Sequence, residues 1–216
     1  MGIVGNLILL ILLASAVLAG LHFGKIIDLE KIISDSGLIK KPETHFSSGP
    51  ELFTEYQDAN VFSLNKHNID CGNKPISSFS IQSNPDDKNK IRYAYKCGTQ
   101  DISEDTIEKV TPLQDFTGWA YLDRHSVKCD DGSLLAKYHV NSADKSASIN
   151  YSCVEYNDLS CRDVSTPKTK EDLMVSSNDW KSHNIKCNDD EMINSLQANM
   201  DEGLFSYNYK CCKKNI

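Results

Sequence analysis

Leu64-Asn65-Lys66-His67-Asn68-Ile69-Asp70-Cys71 recurs as Leu122-Asp123-Arg124-His125-Ser126-Val127-Lys128-Cys129, and again as Trp180-Lys181-Ser182-His183-Asn184-Ile185-Lys186-Cys187. The intervals from His67 to His125 and from His125 to His183 are both 58 residues. Each copy runs on to a Tyr-x-Cys, at Tyr95-Lys96-Cys97, Tyr151-Ser152-Cys153 and Tyr209-Lys210-Cys211. Between these landmarks Ile76, Phe79 and Ile81 correspond to Leu135, Tyr138 and Val140, and to Ile193, Leu196 and Ala198. So many matches at one period mark an internal repeat, with copies expected at about 61–107, 108–165 and 166–216. One copy is too small to bury its own apolar face, so the three must pack together.

Within a copy the apolar period is 2, which means strand rather than helix. Ile91, Tyr93, Tyr95 and Cys97 alternate with Arg92, Ala94 and Lys96; Phe205, Tyr207, Tyr209 and Cys211 alternate with Ser206, Asn208 and Lys210. His67, Ile69 and Cys71 share a side in the opening segment. Gly72-Asn73-Lys74-Pro75, Asn84-Pro85-Asp86-Asp87, Asp130-Asp131-Gly132 and Asp201-Glu202-Gly203 carry turn chemistry. Each copy therefore holds at least three short antiparallel strands, with room for a fourth in the joining segment. The fold class expected is all-β.

Eight cysteines in a modest domain read as a disulfide framework. Repeat symmetry pairs the first and last inward-facing cysteines of each copy: Cys71 with Cys97, Cys129 with Cys153, Cys187 with Cys211. That leaves Cys161 for Cys212. Spacing alone leaves about 105 connectivities open. In the chain-entropy model each intra-repeat bridge constrains the unfolded chain by roughly 3–3.5 kcal/mol.

Asp86-Asp87 ahead of Ile91-Arg92-Tyr93-Ala94-Tyr95-Lys96-Cys97, and the closing Tyr209-Lys210-Cys211-Cys212-Lys213, make residues 61–216 resemble vitelline membrane outer layer protein I. That resemblance implies a three-fold pseudo-symmetric antiparallel β-prism, whose relatives include coat-forming and sugar-binding proteins. The Trp-Gly-x-Trp opening strands of that family are absent, replaced by Leu64, Leu122 or Trp180 with a histidine.

The first segment differs from the rest. From Ile3 through Leu7 and Leu13 to Leu21 the chain is almost wholly apolar, long enough as a helix to span a bilayer core of about 30 Å. No Lys or Arg precedes this run, which favours an uncleaved transmembrane anchor over residues 1–25 rather than a signal peptide. Residues 26–60 read as a stalk or linker, closing on Ser47-Ser48-Gly49-Pro50. The topology signals conflict. Lys25, Lys31, Lys40 and Lys41 place the following domain on the cytoplasmic side, whereas disulfides belong to oxidising compartments. Large nucleocytoplasmic DNA viruses resolve a similar conflict, because they oxidise membrane proteins on the cytoplasmic side.

A formal net charge of −7 and the lack of a basic, aromatic-interleaved stripe exclude a nucleic-acid partner. No nucleophile elbow, zinc-protease or phosphate-loop motif occurs, so no enzyme activity and no cofactor are expected. His67, His125 and His183 are the metal candidates. On a strand, residues four apart are separated by about 13 Å, so a His and the Cys after it cannot share one ion. Asn150-Tyr151-Ser152 is a glycosylation sequon inside an expected strand. The function expected is a single-pass structural protein, partnered by the bilayer and by other coat or capsid proteins, at a virion membrane–capsid interface. The alternative is a lectin-like glycan binder at the cell surface or in the secretory pathway.

Overall fold

Glu202 and Gly203 both take positive φ, 50° and 78°, the two-residue hairpin geometry whose twist matches the strands it joins. The hairpin sets Ala198 opposite Tyr207 and Leu196 opposite Tyr209, and all four side chains are buried. Similar long antiparallel pairs organise the rest of this computed structural model. It describes residues 45–100, 105–115, 119–143, 145–170 and 183–215.

The strands fall into three sets of five. The first is β1 (Ser48–Phe53), β2 (Gln57–Asp58), β3 (Asn68–Asp70), β4 (Ile76–Ser83) and β5 (Lys90–Gly98). The second is β6 (Thr106–Val110), β7 (Gln114–Asp115), β8 (Ser126–Lys128), β9 (Ser133–Ala143) and β10 (Ser146–Glu155). The third is β11 (Leu159–Ser165), β12 (Thr169–Lys170), β13 (Ile185–Lys186), β14 (Met192–Asp201) and β15 (Leu204–Lys214). Short 3-10 turns at Val61–Lys66 and Trp119–Arg124 precede β3 and β8. Asn60 starts the first by accepting the Ser63 N–H on its side-chain oxygen.

Three antiparallel sheets result, and none is made from one set alone. Their orders are β1-β5-β4-β13, β3-β9-β10-β6 and β11-β15-β14-β8, with β2, β7 and β12 pairing with β5, β10 and β15. The third strand of every set is exchanged: β3 pairs with β9, β8 with β14, and β13 with β4. The exchange is cyclic, so each sheet is completed by another repeat.

A bulge at the same place in each accepting strand receives the incoming strand. Register slips at Ser77, Ala136 and Asn194, and the freed carbonyls accept Cys187 N–H, Cys71 N–H and Cys129 N–H at 3.1, 3.0 and 3.1 Å. A bulge re-aims backbone groups out of the ladder. Here it catches the residue that forms the disulfide.

Ile69, Val127 and Ile185 on the exchanged strands are almost fully buried, together with Ile76, Leu135 and Ile193 on their acceptors. Burial of such a side chain is worth about 1.5–3 kcal/mol. A second, smaller cluster joins Phe46 to Leu134, Ala136, Val154, Met192 and Cys212 where the chain enters the domain. The compact unit therefore begins at His45. Part of the stalk expected at 26–60 is sheet instead. Ser48-Gly49-Pro50 sits in the bulged start of β1, an edge strand. Edges accept proline because the missing N–H is not needed there, and a Cβ on Gly49 would lie 3.0 Å from Cys97 O. The repeats accordingly begin at 48, 106 and 159, ahead of the expected 61, 108 and 166.

No helix among the described residues is long and apolar enough to cross a membrane. The anchor expected from Ile3 through Leu7 and Leu13 to Leu21 lies outside the described residues, as does the 26–44 part of the stalk.

Candidate functional site

The repeated histidines do not gather around a ligand; each is taken up by a threonine of its own repeat. His67 Nδ1 lies 2.8 Å from Thr54 Oγ1, His125 Nδ1 2.8 Å from Thr111 Oγ1, and His183 Nδ1 2.9 Å from Thr166 Oγ1. Each hydroxyl also accepts a backbone N–H from the long final strand: Tyr93 at 2.9 Å, Ile149 at 2.8 Å and Tyr207 at 2.8 Å. The same three strand residues accept the threonine N–H groups on their carbonyls. This pattern is satisfied when the hydroxyl donates to Nδ1 of a neutral ring carrying its proton on Nε2.

All three rings are buried. Nε2 of His67 and of His125 has no hydrogen-bond partner among the described residues, while Nε2 of His183 meets Thr169 Oγ1 at 2.7 Å. Burial, reinforced by Lys66, pushes the His67 pKa down to about 4. Burial also lowers that of His125, with Asp123 opposing the shift and Arg124 adding to it. Neutral, locked imidazoles of this kind hold structure together.

Nor do the cysteines offer a nucleophile, since every cysteine is disulfide-bonded. No set of three or more His, Cys, Asp or Glu side chains that could hold a metal occurs among the described residues. The threonines were the residues that sequence reasoning missed. Their signal is Thr54-Glu55-Tyr56-Gln57-Asp58 against Thr111-Pro112-Leu113-Gln114-Asp115, with Thr166-Pro167 sharing the Thr-Pro step. A Thr111→Val variant leaves His125 Nδ1 and the Ile149 N–H buried without their partner. It is expected to cost about 2 kcal/mol or more in urea unfolding at neutral pH; an unchanged midpoint would refute the role assigned to the hydroxyl.

The bridges are Cys71–Cys97, Cys129–Cys153, Cys187–Cys211 and Cys161–Cys212, as repeat symmetry required. Their placement carries more than their pairing. Cys71 continues the strand lying on β9, while Cys97 belongs to β5, so this bridge joins two sheets. Cys129–Cys153 and Cys187–Cys211 join the other two pairs of sheets in the same way. In the second and third repeats the tyrosine two residues before the closing cysteine reaches the same exchanged strand. Tyr151 and Tyr209 donate to Lys128 O and Lys186 O at 3.2 and 3.1 Å.

Cys161–Cys212 is different. It joins directly opposed residues of β11 and β15 within one sheet, with Cα atoms 4.0 Å apart. Cys161 is exposed, whereas the other seven cysteines are buried. Limited reduction followed by alkylation and peptide mapping is therefore expected to label Cys161 and Cys212 before any other cysteine. Earlier labelling of Cys129 or Cys187 would contradict that order.

Polar troughs open on the outward faces of the second and third sheets. On the third sheet Lys128, Asp163, Ser165, Gln197, Asn208 and Lys210 line a polar trough of about 370 Å³. On the second, Asp70, Glu108, Lys137, His139 and Asn150 line a smaller one of about 260 Å³, where Lys137 pairs with Asp70 and Glu108. Asn150 is exposed there, in the middle of β10, while Ser152 of its sequon is fully buried. The turn acids have backbone duties: Asp70 accepts the Gly72 N–H and Asp87 the Asn89 N–H, and Asp130 pairs with Lys109. Comparison with protein-family models, with curated proteins and with solved structures found no match. The arrangement leaves polar and charged side chains together on its outer faces, on a frame in which each repeated histidine is paired with a threonine of its own repeat.

Proposed function

We propose that residues 45–216 form a rigid docking module of a membrane-tethered coat. In this reading the chain is a minor structural protein that links an internal viral membrane to its protein shell and catalyses no reaction. The observation that carries the reading is closure. Three sheets exchange strands cyclically and each is bolted to the next by a disulfide, while the repeated histidines are absorbed into the frame. We infer further that the sheets form a three-fold β-prism, since the bulges, histidines and bridges recur at equivalent places in each repeat. A frame of this kind opposes hinge motion and suits transmission of position better than turnover. The apolar run from Ile3 to Leu21 supplies the tether.

The test uses full-length chain expressed with microsomes. The chain is expected to resist carbonate extraction, and a variant lacking residues 1–25 to be released. Protease is expected to reach the domain from the cytosolic side; full protection would sink the internal-membrane reading. A lectin-like coat protein of the cell surface or secretory pathway is the second reading. The polar trough on the third sheet favours it, because hydroxyl, amide and charged groups there face solvent together. Binding on a glycan array that disappears in Gln197→Ala and Asn208→Ala variants would select it.

A further inference from the structure

The repeats agree in their core and disagree on their outer faces, and the largest departure is in the first repeat. The outward row of β5 reads Lys90, Arg92, Ala94, Lys96. The register-equivalent positions of Lys90, Arg92 and Lys96 are Ser146, Ser148 and Ser152 in β10, and Leu204, Ser206 and Lys210 in β15. Three cations on one side of one strand, two and then four residues apart, thus occur together in this sheet alone, the third sheet keeping only Lys210. Glu51 and Asp58 lie opposite Lys96 and Lys90 across β5. Even so, Lys90, Arg92 and Lys96 make no ion pair among the described residues.

Arg92 is held in place by its neighbours. Its guanidinium carbon lies 3.7 Å from the centroid of the Phe53 ring and 4.6 Å from that of Tyr56. Gln82 Oε1 takes its Nε and Nη2 at 3.4 and 3.2 Å. Phe53 is nonetheless 46% exposed. The supporting residues are also particular to this repeat: Val110 and Ser165 replace Phe53, and Leu113 and Lys168 replace Tyr56. The stack fixes the plane of the guanidinium and Gln82 occupies one edge, which leaves the edge formed by Nη1 and Nη2 open. A planar, pre-oriented fork of this kind matches a carboxylate. Arginine and exposed aromatics together are also the residues on which interface energy concentrates.

We propose that the outer face of the first sheet docks an acidic, extended segment of a partner protein, with one carboxylate seated on Arg92 and others meeting Lys90 and Lys96. Lys90 and Lys96 lie roughly 20 Å apart along the strand, so a chain with acids at alternate positions presents its carboxylates at the matching pitch. The net charge of −7 on the whole chain makes this basic row a local exception, and complementarity selects an acidic partner.

This inference rests on the docking reading of the domain, but its test is separate from that of the tether. Isotope-labelled full-length chain in detergent micelles is titrated with acetyl-Glu-Ser-Glu-Ser-Glu-Ser-Glu-amide, whose first and last carboxylates stand about 20 Å apart when extended, and with its Gln-for-Glu counterpart. The Arg92 Nε–Hε and Ala94 amide resonances are expected to shift saturably with the acidic peptide and at least tenfold more weakly with the neutral one. Arg92→Gln, with its four disulfides verified, is expected to lower affinity at least tenfold at the Ala94 amide. The milder Lys96→Gln is expected to lower it less, and Lys210→Gln on the third sheet not at all. Absence of a saturable shift, equal binding of the neutral peptide, or affinity retained in Arg92→Gln would overturn the site. Tighter binding of oligo-thymidine than of the acidic peptide would overturn the partner class. Failure here with carbonate resistance intact removes the acidic partner and leaves the tether standing.

Discussion

A Cys129→Ala/Cys153→Ala double variant is expected to lose about 3.5 kcal/mol of stability, the chain-entropy value for a loop of this size. For a domain of this length that lowers Tm by roughly 10 °C. The loop value alone does not distinguish this bridge from Cys161–Cys212. Its larger sequence separation, 51 against 24 residues, gives about 4 kcal/mol in the same model. What separates the two is where the structure opens. β8 has three residues and rests on β14 through Ser126, Val127 and Lys128, with the Cys129 N–H on Asn194 O. Without its bridge that short exchanged strand keeps the ladder, the burial of Val127 and the side-chain hydrogen bonds of Tyr151 to Lys128 O and of Asn194 to Cys129 O, but no covalent tie to β10. Amide exchange in β8 is therefore expected to accelerate in Cys129→Ala/Cys153→Ala and to stay unchanged in Cys161→Ala/Cys212→Ala, where β11 opens instead. Equal exchange of β8 in both variants would mean that the inter-sheet bridges do not hold the exchanged strands.

Much of this frame was legible in the chain, and the reasons are local. Alternation put Cys71 and Cys97 on inward faces whichever strands they paired with, so the bridges followed from repeat symmetry. The cyclic exchange was not legible, because Asn68-Ile69-Asp70 carries the same pattern in any sheet that buries Ile69. Nor was the bulge that receives Cys71, since Ala136 has no residue-level signature of a broken register. Gly49 and Pro50 misdirected the reading of β1. Both residues are common in linkers, but here they serve a close approach to Cys97 and an unpaired strand edge.

The candidate site divides in the same way. The period of His67, His125 and His183 was plain, and the cysteine four residues after each of them is taken up by a disulfide. Their partners were hidden, because Thr54, Thr111 and Thr166 lie 13, 14 and 17 residues upstream and only the folded chain brings them near. Arg92 escaped notice for a different reason. In sequence it is one polar residue of an alternating strand, and its meaning depends on Phe53 and Tyr56 arriving from β1 and the loop after it. Core positions repeat and so announce themselves. A surface that departs from the repeat is visible only once the register between strands is known.

His67 and His125 make the domain sensitive to acid above the range in which carboxylates titrate. His67 falls from an ordinary value of 6.5 to about 4 in the folded chain, so the unfolded chain binds its proton first. The stability that the neutral ring contributes is complete above pH 6.5 and is lost progressively as pH falls toward 4. That loss is about 2 kcal/mol by pH 5, and on the order of 3 kcal/mol once the folded pKa is passed. His125 adds to it in the same direction, since burial lowers its pKa too. Protonation also reverses the polarity of the hydrogen bond: a ring bearing a proton on Nδ1 can no longer accept from Thr54 Oγ1, whose oxygen already receives the Tyr93 N–H. Urea unfolding at pH 7 and pH 5 is expected to show the drop in wild type. His67→Asn, which keeps a short polar group near Thr54 but does not titrate, should be less stable at pH 7 yet lose about 2 kcal/mol less on going to pH 5. Glu191, held ionised chiefly by its hydrogen bonds from Arg162, has its pKa lowered below the ordinary carboxylate value of 4.5, so the stability it contributes is intact above that pH and is lost only as pH falls below it. An acid limb of the same depth in His67→Asn would assign the loss to other groups and leave the histidine as packing alone.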